Sequence, residues 1–156
     1  MRLLILAAAI LAMLGCALGQ EQKKASVDQF QEVTFCQLAG DPSPFVGKRI
    51  RVRAIYSYMF EVSVLKPADC CADSNRTIWV DFKDEDDMDR DTKGLLHEFP
   101  KGMGVVLATF EGTFEGGKAY GTGGHQFRLY IDRVVRLEHK AKALHHRPRW
   151  EPKCEP

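Results

Sequence analysis

"GKRIRVRAIY" (47–56) decides the reading of the fold. Ile50, Val52, Ala54 and Tyr56 alternate with Arg49, Arg51, Arg53 and Ile55. Successive side chains of an extended strand point to opposite sides of a sheet, so a period of two marks a strand with one buried face. The arginines then stand on the wet side. Two interpretations compete. They form a phosphate-binding stripe, or they occupy a solvent face, cover apolar neighbours with their stems and pair across strands with outward Asp81, Glu111 and Asp132.

The same rhythm recurs on both sides of this segment. "YMFEVSVL" (58–65) extends the run with a bend near 58–61. "TIWVDF" (77–82) sends Ile78, Val80 and Phe82 inward and Thr77, Trp79 and Asp81 outward. "GVVLATFEGTF" (104–114) gathers Val106, Ala108, Phe110, Gly112 and Phe114 on one face, and "QFRLYIDRVVRLE" (126–138) reads as the last strand. Between the strands lie breakers and caps. Thr34 is placed to cap a short helical turn that Asp41-Pro42-Ser43-Pro44 ends. "KPADCCADSNR" (66–76) reads as a loop, "TKGLLHEF" (92–99) as a short helix, and "EGGKAYGTGG" (115–124) as a glycine-rich turn. Residues 20–33 read as a mobile lead-in and 139–156 as a basic, His- and Pro-containing tail, leaving 34–138 as the domain.

Short alternating strands with a helix before the fourth predict an all-β fold with one or two short helices, an OB-fold-like five-stranded barrel. The expected core comprises Leu38, Phe45, Ile50, Val52, Ala54, Ile78, Val80, Phe82, Leu95, Val106, Ala108, Phe110, Leu129 and Ile131.

The first residues predict export. Arg2 precedes an apolar run from Leu3 to Leu14, the length of a signal-peptide core and too short to span a bilayer comfortably. Ala17 and Gly19 offer cleavage before Gln20. Alternatively, "MLGC" (13–16) resembles a lipobox, which would leave Cys16 as a lipid-anchored N-terminus. The chain has 22 Lys+Arg and 21 Asp+Glu, and removing residues 1–19 takes away Arg2 and no acid, leaving the two signs equal. A neutral domain is a poor general polyanion binder, so nucleic acid is disfavoured as a partner. Export also permits disulfides among Cys36, Cys70, Cys71 and Cys154. Bonding of Cys36 to Cys70 or Cys71 is the preferred bridge, with Cys154 available to the other.

"DPSPFVGKRIRVRAIY", "TIWVDF", "KGMGVVLATFEGTF" and "FRLYIDRVVRL" together resemble small exported OB-fold-like domains of bacteria, over roughly residues 34–138. In those domains a D/N-P-x-x-F/Y-x-G-K segment feeds the first strand and a K-G-x-x-V segment opens the fourth. The resemblance implies the barrel; it implies little about function, because the fold hosts unrelated ones.

The candidate recognition surface is the outward face carrying Arg51, Arg53, Tyr58 and Trp79, with Tyr120 and Tyr130 at its edge. OB barrels hold single strands by combining cations with stacking aromatics. His125 adjoins the same groove. A second candidate is "DMDRDTKGLLHE" (87–98), which sets Asp87, Asp89, Asp91 and Glu98 at positions 1, 3, 5 and 12 of an EF-hand loop. Thr92 stands where that loop needs Gly, and the preceding segment reads as a strand. A solvated acidic loop leading into a helix is the preferred reading, with weak calcium binding as the alternative. "NRT" (75–77) spells a glycosylation sequon. His139, His145 and His146 fall in the tail and form no catalytic set, and no nucleophile elbow or H-E-x-x-H occurs. The expected function is therefore an exported binding or interaction module of the cell envelope, taking an envelope protein or small ligand, without enzyme activity or cofactor. The alternatives are a binder of single-stranded nucleic acid or oligosaccharide, or a calcium-binding envelope protein.

Overall fold

The structure, a computed structural model, describes residues 29–70 and 76–142. Its elements in chain order are β1 (Gln31–Thr34), α1 (Phe35–Gly40), β2 (Arg49–Met59), β3 (Val62–Lys66), β4 (Ile78–Phe82), α2 (Arg90–His97), β5 (Gly104–Tyr120) and β6 (His125–Lys142). The strands join in the order β2–β3–β4–β6–β5, and β5 returns to β2, closing a five-stranded barrel. All of these pairings are antiparallel except β4 with β6. With α2 between the third and fourth barrel strands, this is the OB-fold-like barrel that the alternation predicts.

β2 is the strand on which closure turns. One edge pairs with β5 from Arg49 to Tyr58. The other edge is shared: β1 runs parallel along Ile50–Arg53, and β3 takes over from Ile55. Ile50, Val52 and Ala54 are fully buried inside, with Val80, Val106, Ala108, Phe110, Phe114, Leu129 and Ile131. Of the expected core, Phe45, Phe82 and Leu95 are only partly buried and pack against its margin.

Local chemistry sets the helix starts. The Thr34 backbone N–H donates to Gln37 Oε1 at 2.8 Å while Gln37 N–H donates to Thr34 Oγ1 at 3.2 Å, a reciprocal capping box that opens α1. Phe35 and Leu38 then face the core. Asp89 caps α2, accepting from Thr92 N–H at 2.9 Å and from the Thr92 hydroxyl at 2.8 Å. The buried Thr92 Oγ1 in turn accepts from Val134 N–H at 3.2 Å, docking the helix on β6.

Three segment boundaries differ from the sequence reading. The lead-in contains β1, because Val33 buries itself against Val52. The glycine-rich stretch is strand as far as Tyr120, held by pairing from Gly116–Phe127 to Tyr120–His125, so only 121–124 turns. The last strand continues to Lys142, into the expected tail. The remaining tail, the export segment, Cys16, Cys71, Asn75, His145, His146 and Cys154 lie outside the described residues.

The bend near 58–61 is a two-residue hairpin, with Met59 paired to Val62. Its first central residue, Phe60, has φ +43° and is 91 % exposed. Positive φ costs a side-chain-bearing residue about 1–2 kcal/mol, whereas glycine occupies it freely but loses about 0.5–1 kcal/mol of chain entropy on folding. Phe60→Gly is therefore expected to raise stability by roughly 0.5 kcal/mol in urea melts; a loss of stability would show that the exposed ring contributes packing.

Candidate functional site

The arginine stripe stands where the period-two reading puts it, on the outer face of β2, and it is neutralised by carboxylates. Arg49 lies 3.3 Å from Asp132 and 4.2 Å above the Phe30 ring. Arg51 donates to Glu111 and to Glu32, each at 2.6 Å. Arg53 forms a fork to Glu138 at 2.8 and 2.9 Å and also meets Asp69. The hydrogen bond to Glu111, then that to Glu32, pushes the Arg51 pKa up, and the bond to Glu138 does the same for Arg53. The Arg53 fork correspondingly holds the Glu138 carboxyl below its ordinary range. Exposed pairs of this kind contribute little stability each. Glu111 differs: its carboxylate is wholly buried between Arg51 and Arg133, and its Oε2 makes no hydrogen bond among the described residues. A phosphate chain binding here would have to displace this set of acids.

The aromatic part of the expected surface is not a bare platform. Trp79 does point out of the barrel, but it is only 8 % exposed. The tip of the β5–β6 hairpin lies over it. A Cβ on Gly121 would sit 2.3 Å from the indole Cε3, and Gly121 itself has φ +62°. Tyr120, also buried, completes a small cluster with Trp79 and Val64. The indole N–H is satisfied by Asp81 Oδ1 at 2.9 Å, and the tip is tied across to the β2–β3 turn by Thr122 Oγ1 donating to the Glu61 carbonyl at 3.4 Å. What the sequence suggests as a stacking platform is thus an internal packing contact. Gly121→Ala is expected to cost about 2 kcal/mol, through strained backbone and overlap with the indole, and to red-shift Trp79 emission. Unchanged stability and emission would contradict the seating of the tip.

Around this cluster Arg128 acts as a hub, a residue the sequence reading did not single out. Its guanidinium lies 4.9 Å from the Tyr120 ring centre and 5.3 Å from that of Tyr130, and it pairs with Asp81 at 2.6 Å and Glu115 at 2.5 Å. Trp79, Tyr120 and Tyr130 are therefore brought together. Tyr58 is elsewhere: it stacks on Tyr56 at 4.9 Å and Phe99 at 6.4 Å, its hydroxyl donates to the Pro100 carbonyl, and burial pushes its pKa up to about 12. Arg51 and Arg53 face the acids described above. The six residues do not form one surface.

The acidic segment is likewise divided among structural tasks. Asp89 is the α2 cap, and its hydrogen bond from the Thr92 backbone holds its carboxyl below the ordinary range. Asp87 ends a 3-10 turn, Asp91 lies in the first turn of α2, and Glu98 pairs with Lys140 at 3.0 Å. Among the described residues no group of three or more His, Cys, Asp or Glu side chains is placed to hold a metal ion.

The structure instead opens a cleft of about 610 Å³ at one end of the barrel. One wall is α1 and Pro42, with Leu38 and Ala39; the other is the starts of β4 and β6, with Ile78 and Phe127. Arg76, Thr77 and His125 supply polar groups at its rim. His125 Nδ1 is 3.1 Å from Thr77 Oγ1, and its ring leans on Trp79 at 5.5 Å. The Arg76 guanidinium, from the segment just before β4, donates to the Ala39 carbonyl on α1. Cys36 on α1 bonds to Cys70 after β3, with Cα atoms 6.4 Å apart, so the α1 wall is tied to the β3–β4 connection. Of the adjacent cysteines, Cys70 stands at disulfide distance from Cys36, and Cys71 lies outside the described residues.

Neither family models, nor curated proteins, nor solved structures provide a match to this chain.

Proposed function

We propose that the chain is an exported binding module without enzyme activity, and that it takes a small ligand in the cleft beneath α1 rather than on the outer barrel face. The observation that carries this is the contrast between the two surfaces. On the outer face the arginines meet carboxylates and Trp79 is covered. The cleft is concave, is lined by apolar and polar groups in near-equal measure, and has a volume within the range of small-molecule sites. Export rests on the N-terminal apolar run, and a disulfide between Cys36 and Cys70 accords with an oxidising compartment.

The test uses N-phenyl-1-naphthylamine, an uncharged aromatic probe whose fluorescence rises in apolar surroundings. The full chain is expected to bind it at a single site. Ala39→Trp, which fills the cleft from the partly exposed side of α1, is expected to abolish binding while the melting temperature stays within about 3 °C. Undiminished binding by this variant, or no binding by the parent chain, would remove the cleft from consideration.

A further inference from the structure

We infer that the cleft is specific for a small organic monoanion, a carboxylate or sulfonate on an apolar body, with the acid group held between Arg76 and His125. This rests on the cleft reading above and adds the chemical class of the ligand.

Charge is the first ground. The outer-face arginines 51, 53, 128 and 133 each have a carboxylate within 4 Å. Arg76, at the cleft rim, has none among the described residues, where it donates to the Ala39 carbonyl, a neutral acceptor. A guanidinium has five N–H donors in a planar fork, so that single bond leaves donors for a bidentate acid. The second ground is the orientation of His125. Nδ1 lies 3.1 Å from the Thr77 hydroxyl, and in the tautomer whose Nδ1 accepts from that hydroxyl the ring proton sits on Nε2, free to donate to an acid. Glycine at 123 lets the hairpin tip approach the imidazole closely: a Cβ there would lie 2.7 Å from Nε2. His125 and Arg76 line the same cleft.

The third ground is the remainder of the lining. Ala39, Pro42 and Phe127 supply apolar groups, and no second lysine or arginine lines the cleft, so the site matches one negative charge attached to a body with an apolar part and is poorly suited to a polyphosphate. A charge-assisted hydrogen bond is enough to separate an anion from its neutral isostere by about tenfold or more.

The experiment compares two probes with the same arylamine body. One is 1-anilinonaphthalene-8-sulfonate, which carries the acid; the other is N-phenyl-1-naphthylamine, which does not. Arg76→Gln is expected to weaken the sulfonate about tenfold while leaving the neutral probe within about twofold, and Arg76→Lys to recover part of the loss. If Arg76→Gln binds the sulfonate as the parent chain does, Arg76 does not hold the anion and the inference fails. If it loses both probes equally, Arg76 acts only by bracing α1 through Ala39, and the inference fails again. Both leave the cleft reading standing. That reading fails separately, when Ala39→Trp binds the neutral probe undiminished or the parent chain does not bind it.

Discussion

Gly112→Ala is expected to lose about 3 kcal/mol of folding stability, a large part of what a domain of this size possesses. Gly112 lies on β5 opposite Ile131, next to a register shift at Glu111/Gly112. A Cβ there would stand 2.1 Å from the Tyr130 carbonyl oxygen and 2.9 Å from the Ile131 Cα. Both are backbone atoms of β6, so no side-chain rotation relieves the overlap. Either the two strands separate or the bulge is lost, and both loosen a pairing on which closure of the barrel depends. Glycine inside a strand often marks such a close approach of two backbones. Equilibrium urea unfolding of parent and variant measures the effect; a difference below about 1 kcal/mol would mean that β5 and β6 do not approach at this point as described.

The second large effect concerns the buried carboxylate. Arg51→Met leaves Glu111 without its principal partner, with only Arg133 remaining at 3.7 Å. Removing one side of a buried ion pair leaves an uncompensated charge away from water, and the expected cost is about 3 kcal/mol. Replacing both, as Arg51→Met with Glu111→Leu, removes the charge along with its partner and is expected to recover most of the loss. The double-mutant cycle by thermal or urea melting therefore yields a coupling of about 2 kcal/mol or more. Additive losses would indicate that the Glu111 carboxylate reaches water in solution. The neighbouring Arg53 provides the contrast: its partners Asp69 and Glu138 are partly exposed, so Arg53→Met is expected to cost well under about 1 kcal/mol.

The barrel strands β2 and β4 are legible because the apolar residues facing the core recur at every second position. Ile50, Val52 and Ala54 announce β2, and Ile78 and Val80 announce β4, without reference to any distant residue. β1 was not legible: "QEVT" offers a single buried position, Val33, and its extended state comes from the free edge of β2. The same is true of Gly116 to Tyr120, where a composition that favours turns is overridden by pairing with β6. Alternation puts Trp79 on the outer side of β4, apart from the main core, but does not describe its surroundings. Alternation tells which side of a strand a ring leaves by; it does not tell that a hairpin formed more than forty residues later folds back over that side. The spacing of Asp87, Asp89, Asp91 and Glu98 was suggestive in isolation, but Asp89 followed by Thr92 is also a helix cap with its N3 residue, and capping is how the structure uses it. Of the cleft, the sequence reading reached only His125, as a neighbour of the outer groove. Nothing local marks Arg76 as a rim residue, since its setting is made by α1, β4 and β6 together.

The most direct test of where this protein binds is a titration of the 15N-labelled chain with 1-anilinonaphthalene-8-sulfonate, followed by amide shifts. The account predicts that the moving resonances are those of Ala39, Thr77 and Gly123 to Phe127, the residues around the cleft. Shifts concentrated instead on Arg51, Arg53 and Glu111, with the cleft amides unmoved, would put the binding surface on the outer face of the barrel and contradict it.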